Sequence, residues 1–219
     1  MLLVTAATAF EMDAFLSARP ADSKVLTALT GVGPVEAPLR VPHFLATTSR
    51  AISGLINFGV AGAYLGTGPG TNMLDICLAD LEILGDFGIC INEQVEPLRG
   101  EGFAIVDTFD LHSPLLQRAE TVLRNGGVTV QRGTFVTVNC VSGSRRRGDM
   151  LARQHRGLCE NMEGAAVARV CRHFQLPLVE VRCISNLVED RDTALWRLRD
   201  ASRRCGQVVA RLVQELAHV

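Results

Sequence analysis

The sequence shows no excess charge of either sign, no closely paired cysteines and no long apolar run, and each lack closes off a class of function. With 22 basic against 23 acidic residues, the chain offers no global attraction to nucleic acid or to an anionic membrane. Arg145, Arg146 and Arg147 do cluster, but without interleaved aromatics, so they read as a solvated loop. The seven cysteines (Cys77, Cys90, Cys140, Cys159, Cys171, Cys183, Cys205) are odd in number, widely spread and free of any C-x-x-C pair. That pattern excludes a disulfide framework and a zinc ribbon, and is expected of reduced, mostly buried thiols. No stretch approaches the roughly 20 apolar residues of a spanning helix. "MLLVTAATAFEMD" places no basic residue before its apolar ones, unlike a secretory signal. The expectation is a soluble cytoplasmic protein, with no nucleic-acid or membrane partner, that handles a small ligand.

Familiar motifs are missing as well. "TGVG" at 30–33 and "GTGPG" at 66–70 extend to neither G-x-G-x-x-G nor a P-loop and read as turns. Ser142-Gly143-Ser144 lacks the frame of a nucleophile elbow. His43, His112, His155, His173 and His218 have no metal-ligand spacing. Neither metal nor covalent-serine chemistry is expected.

What is present fits a single α/β domain spanning residues 1–219, with 47% hydrophobic residues to fill its core. Apolar runs of strand length alternate with helix-period segments, which predicts a central mixed, mostly parallel sheet flanked by helices. The strands are expected at Leu2 to Ala6, Leu55 to Val60, Ile76 to Ala79, Phe103 to Val106, Phe135 to Val138 and Leu178 to Ile184. Met12, Phe15 and Leu16 mark a helix after the first strand, and Val167, Val170, Cys171 and Phe174 mark another behind "NMEGAA". Leu198, Ala201, Cys205, Val208, Val209, Leu212, Val213 and Leu216 form a long C-terminal stripe. Pro34, Pro38 and Pro42 leave at most a short helix near Phe44 to Ser49.

Several polar residues carry two readings. Glu11 sits where the first strand yields to a helix, the edge of an α/β crevice, yet Thr8-Ala9-Phe10-Glu11 also fits a capping box. Glu163, after Met162 and a candidate N-cap at Asn161, is placed to favour a helix start; beside Gly164-Ala165-Ala166 it is also placed to accept from two vicinal hydroxyls. Arg182 alternates in phase with Glu180, which suits an internal salt bridge or a site. Asn186 lies just beyond the end of its strand, where ligands of open sheets collect and where turn residues are also common. Arg191 and Trp196 offer a place for an acidic aromatic group, or a salt bridge at a helix start and a core tryptophan.

The order of these features is distinctive: Glu11, then "NFGVAGAY" at 57–64, "ENMEGAAVARVC" at 160–171 and "VRCISN" at 181–186. In this the chain resembles the purine nucleoside phosphorylase and nucleosidase superfamily over nearly its whole length. Within it the layout is similar to the methylthioadenosine/S-adenosylhomocysteine nucleosidases and, more closely, to the futalosine hydrolases of the menaquinone pathway. The resemblance implies a nucleoside phosphorylase-like fold, a nucleoside substrate, a homo-oligomer and no cofactor. It assigns water activation to Glu11 and the ribose hydroxyls to Glu163, with Met162 packing on the sugar and Arg182 organising the water and carboxylates. Val60, Ala61 and Gly62 would line the base and ribose pocket, with Cys140, Val141 and Ser185 contributing contacts. Where the phosphorylases carry a phosphate loop this chain reads Thr8-Ala9-Phe10-Glu11, which implies water as nucleophile. Where adenine-specific nucleosidases carry an aspartic acid it has Asn186, whose amide matches a 6-oxopurine.

Overall fold

The computed structural model describes residues 1–66, 70–91, 94–98 and 104–216. The strands are β1 (Leu2–Ala6), β2 (Val25–Leu29), β3 (Gly54–Ala63), β4 (Ile76–Leu84), β5 (Ile89–Ile91), β6 (Gln94–Glu96), β7 (Thr108–Asp110), β8 (Val130–Thr137), β9 (Gly157–Asn161) and β10 (Leu178–Leu187). The helices are α1 (Ala9–Ala18), α2 (Ala37–Thr47), α3 (Pro114–Asn125), α4 (Arg145–His155), α5 (Gly164–His173) and α6 (Leu198–Leu216). Among them no helix is long and apolar enough to cross a membrane.

The main sheet is mixed and runs β10-β4-β8-β9-β3-β1-β2, with β7 beside β4 and a separate β5-β6 hairpin. Parallel pairing joins β3 to β1 and β10, and β8 to β4 and β9, while β3–β9, β4–β10 and β4–β7 run antiparallel. Because β10 pairs with both β3 and β4, the strands β3, β10, β4, β8 and β9 close into a ring. Closure leaves those strands without free edges, and the polar residues buried on them, among them Asn57, Glu82, Glu160, Asn161, Glu180 and Arg182, must each find a partner.

The strongest expectations concern fully buried elements. β1 is buried at every position, and β10 over Leu178 to Ser185. On α6 the residues Ala201, Cys205, Val208, Val209, Leu212, Val213 and Leu216 are buried, and Gly206 lets the backbone of Ala14 and Phe15 on α1 come close. Leu198, assigned to the same stripe, is exposed instead, as are Leu16 on α1 and Phe174 beyond the end of α5.

Other segments differ from expectation. α2 is a full helix despite its prolines: Pro38 occupies the first turn, where an amide has no intrahelical partner, so only Pro42 removes an interior bond. Arg145, Arg146 and Arg147 open α4 rather than a loop; Ser144 caps it, and Arg147 pairs with Asp86 at 3.2 Å. The strand expected at 103–106 does not form over 104–106, and β7 covers Thr108–Asp110 instead; Phe103 lies outside the described residues, as do 67–69 of "GTGPG" and His218. Five cysteines are buried and Cys90 and Cys140 exposed, all of them free thiols.

Candidate active site

Glu11 is the third residue of α1, and its capping box forms as the sequence suggests. Thr8 Oγ1 accepts from Glu11 N at 3.3 Å, and Thr8 N donates to Glu11 Oε2 at 3.2 Å. The cap uses only one carboxylate oxygen. Oε1 reaches across to β3 and accepts from Val60 N at 3.1 Å. Gly59 makes this crossing feasible, because a β-carbon there would sit 2.5 Å from Glu11 Oε1 and 2.8 Å from Arg182 Nη1. The capping and functional readings of Glu11 are therefore compatible in one geometry.

Arg182 is buried on β10 and joins three backbone elements. Its Nε donates to Glu180 Oε1 at 2.7 Å, Nη1 to the Val60 carbonyl at 3.2 Å and Nη2 to Glu163 Oε2 at 3.2 Å. Burial opposes its charge, but Glu180, Glu163 and Glu11 more than compensate and hold the guanidinium firmly protonated. Glu180, with burial raising its pKa against Arg182 and Asn57, accepts from Asn57 Nδ2 at 2.8 and 3.1 Å. The internal salt bridge expected of Glu180 and Arg182 is present, and the same guanidinium also faces the cavity.

Glu163 occupies the N-cap of α5, but its side chain does not cap. Asn161 Oδ1 does so instead, accepting from Glu163 N at 2.9 Å and Gly164 N at 2.7 Å. The freed carboxylate accepts from Arg182 and, through Oε1, from Gly33 N at 3.0 Å. Gly31 and Gly33 have φ of +77° and +91°, so "TGVG" is a turn as expected, and it presents a backbone donor to the site. Asn161 is held in turn by Glu82, whose Oε1 accepts from Asn161 Nδ2 at 2.9 Å and Oε2 from Thr137 Oγ1 at 2.9 Å.

Glu11, Val60, Ala61, Gly62, Val141, Met162, Glu163, Arg182, Ser185 and Asn186 line one cavity of about 280 Å³. Asn186 is inside β10 rather than beyond it, set by a bulge between Ile184 and Asn186 that pairs it with Gly62. Ser185 Oγ donates to Asn186 Oδ1 at 2.8 Å and so orients the amide. Cys140 is outside the lining: its N–H is held by Asp86 at 3.1 Å and its carbonyl by Arg147 at 3.4 Å, which fixes this stretch away from the pocket until Val141.

Sequence reasoning missed Ser142, Glu160 and the Gly33 amide. β9 carried no alternating pattern because Glu160 and Asn161 are buried polar residues satisfied internally. Trp196 is half-buried and lines the cavity instead of entering the core, with the Arg191 guanidinium 4.6 Å from its ring centre. A second cavity of about 170 Å³ adjoins, sharing Ser142, Asn186 and Trp196.

A mixed, ring-closed sheet with a carboxylate-lined cavity at its strand ends defines an α/β protein with a pocket for a small polar ligand. Comparison with known proteins gives the family: the family model described as Phosphorylase superfamily matches residues 14–217, and the chain belongs to that superfamily. It is 30% identical over 186 residues to futalosine hydrolase of Thermus thermophilus, covering 85% of this chain and 80% of that one. It is 28% identical to futalosine hydrolase of Streptomyces coelicolor, covering 98% and 96%. Its fold matches that of the 5'-methylthioadenosine/S-adenosyl homocysteine nucleosidase of Helicobacter pylori, with a TM-score of 0.82 at 16% identity over 98% of this chain and 97% of the other.

Proposed function

We propose that this chain is an N-glycosyl hydrolase that cleaves futalosine, a 5'-substituted inosine, to hypoxanthine and the modified ribose, a step of menaquinone biosynthesis. The observation that carries the reading is the convergence of Glu11 and Glu163, far apart in the chain, on a single cavity, where Arg182 bonds Glu163 directly and shares Val60 with Glu11.

In this reading the glycosidic bond stretches first, and positive charge grows on the ribose. The lining supplies the carboxyl groups of Glu11, Glu160 and Glu163 against the one guanidinium of Arg182, itself shared with Glu180. That balance favours a developing oxocarbenium and opposes a phosphate anion, which supports water as the nucleophile. Glu11 takes the water proton through the carboxylate that Thr8 and Val60 hold in place, a role worth about 10² to 10⁴ in rate. Glu163 accepts from the ribose hydroxyls while Met162 packs on the sugar. Arg182 pairs with Glu163 at 3.2 Å, and Glu11 lies close enough to add to the negative field around its guanidinium. Asn186, oriented by Ser185, meets the departing base with its NH2 on O6 and its carbonyl on the N7 proton.

The test is a panel of futalosine, inosine and methylthioadenosine, each with and without inorganic phosphate, scored for free base. Hypoxanthine released from futalosine without phosphate is expected. Adenine release from methylthioadenosine as the faster reaction would give the adenine-specific reading, phosphate dependence would give phosphorolysis, and binding without turnover would give a purine-binding regulator.

A further inference from the structure

The mechanism above gives one buried acid of the cavity no contact with the substrate. Glu160 lies on β9 with 5% of its surface exposed and lines the same cavity as Asn186. Its carboxylate accepts from Ser142 N at 2.9 Å through Oε1 and from Ser142 Oγ at 2.7 Å through Oε2. Arg147, the nearby cation, gives its own ion pair to Asp86 at 3.2 Å. Burial raises the pKa of Glu160, and the Ser142 bonds, the Tyr64 hydroxyl and the Arg147 charge only partly offset it. A carboxylate buried against neutral donors is costly to retain, and its roughly four lone-pair sites exceed the donors that Ser142 and the Tyr64 hydroxyl supply.

The strand register shows what those lone pairs face. Gly62 on β3 pairs with Glu160 on β9 and with Asn186 on β10. The two polar residues therefore flank one glycine, about 10 Å apart at the backbone. A β-carbon at Gly62 would lie 3.0 Å from Asn186 Nδ2 and 3.5 Å from Glu160 Cγ, so both side chains project over the same face of the sheet. A planar base edge on Gly62 would meet the amide on one side and the carboxylate on the other.

Resting on the proposed nucleosidase reading, we infer that Glu160 accepts the N1–H of a 6-oxopurine and, with Asn186, sets which base the site releases. Hypoxanthine presents donor N1–H beside acceptor O6, which matches carboxylate beside amide NH2. Adenine reverses both groups, placing the N1 lone pair against the carboxylate and its amino group against the amide donor. Ser142 gives the arrangement its polarity, because its backbone N–H donates and never accepts. In a glutamine at this position the single oxygen stays on that N–H, so the NH2 turns toward the base.

The experiment compares wild type with Glu160→Gln on futalosine and on the same nucleoside carrying adenine, reading kcat/KM for each, with thermal melting as the check on folding. The expected result is a loss of about 10- to 100-fold on futalosine and at least a tenfold fall in the hypoxanthine-to-adenine ratio. Equal losses on both substrates would mean that Glu160 only holds Ser142 in place, and would overturn the inference while leaving the nucleosidase reading intact. A wild type that releases base from neither nucleoside would overturn both. A second measurement needs no variant: wild type is expected to lose at least tenfold on futalosine methylated at N1, and full turnover of that compound would refute Glu160 as the acceptor.

Discussion

Glu11→Gln separates the two jobs that one carboxylate performs. Glutamine keeps a single oxygen, so it satisfies either Val60 N or Thr8 N and turns an NH2 toward the other, where Oε1 and Oε2 now serve both at 3.1 and 3.2 Å. Losing the reciprocal half of a capping box and leaving one amide unpaired costs about 1 to 3 kcal/mol. For a chain of this size each kcal/mol lowers the melting midpoint by about 2 to 4 °C, giving a drop of about 2 to 12 °C. Removing the general base costs about 10² to 10⁴ in turnover, equivalent to about 2.7 to 5.4 kcal/mol in the barrier. Assayed well below the midpoint, the chemical loss therefore exceeds anything the folding loss can produce. Ser113→Ala is the control, since Ser113 caps α3 by accepting from Leu116 N at 3.2 Å, away from the cavity lining. It should shift the midpoint through about 0.5 to 2 kcal/mol with activity unchanged. The reasoning is refuted if Glu11→Gln keeps more than a tenth of wild-type turnover while its midpoint falls, for then Glu11 is a cap alone.

Gly59→Ala places a methyl group where Glu11 Oε1 and Arg182 Nη1 lie, 2.5 and 2.8 Å from the new carbon, so both side-chain ends must shift. Turnover should fall at least tenfold with a small change in midpoint, and unchanged kinetics would show that the tight seating of these groups is unimportant. Asn186→Asp should lower kcat/KM on futalosine and raise the relative rate on its adenine counterpart; an unchanged ratio would remove Asn186 from the base site. His155 is partly buried, which lowers its pKa against the opposing pull of the Gly85 carbonyl at 3.2 Å and of Asp107. The unfolded chain then binds the proton first, so this residue contributes a loss of stability as pH falls below about 6.5 toward the folded value. His155→Gln should show a shallower decline in midpoint between pH 7 and pH 5.5 than wild type, and parallel declines would refute the assignment.

Much of the scaffold was legible because burial on all sides leaves a plain mark: β1, β3, β10 and α6 each carry apolar residues at the right period. α3 had a readable start that was passed over, with Ser113 as cap, Pro114 in the first turn and Leu116, Ala119 and Leu123 on one face. β9 was not readable in the same way. Its Glu160 and Asn161 are buried, and nothing in a run of "GLCEN" says that Ser142, Glu82 and the start of α5 will satisfy them.

The sequence by itself determined the α/β class, the buried strands, the capping box at Glu11 and the identity of the acids, guanidinium and amide available for chemistry. These follow from local periodicity and from side-chain type. Only the tertiary structure decided which of them share a space: that Glu11 caps with one oxygen and reaches Val60 with the other, that Arg182 joins Glu180 to Glu163, and that Glu160 faces Asn186 across Gly62. The physical reason is that buried charge is tolerated only beside its partners, and those partners come from strands distant in the chain that the ring-closed sheet brings together.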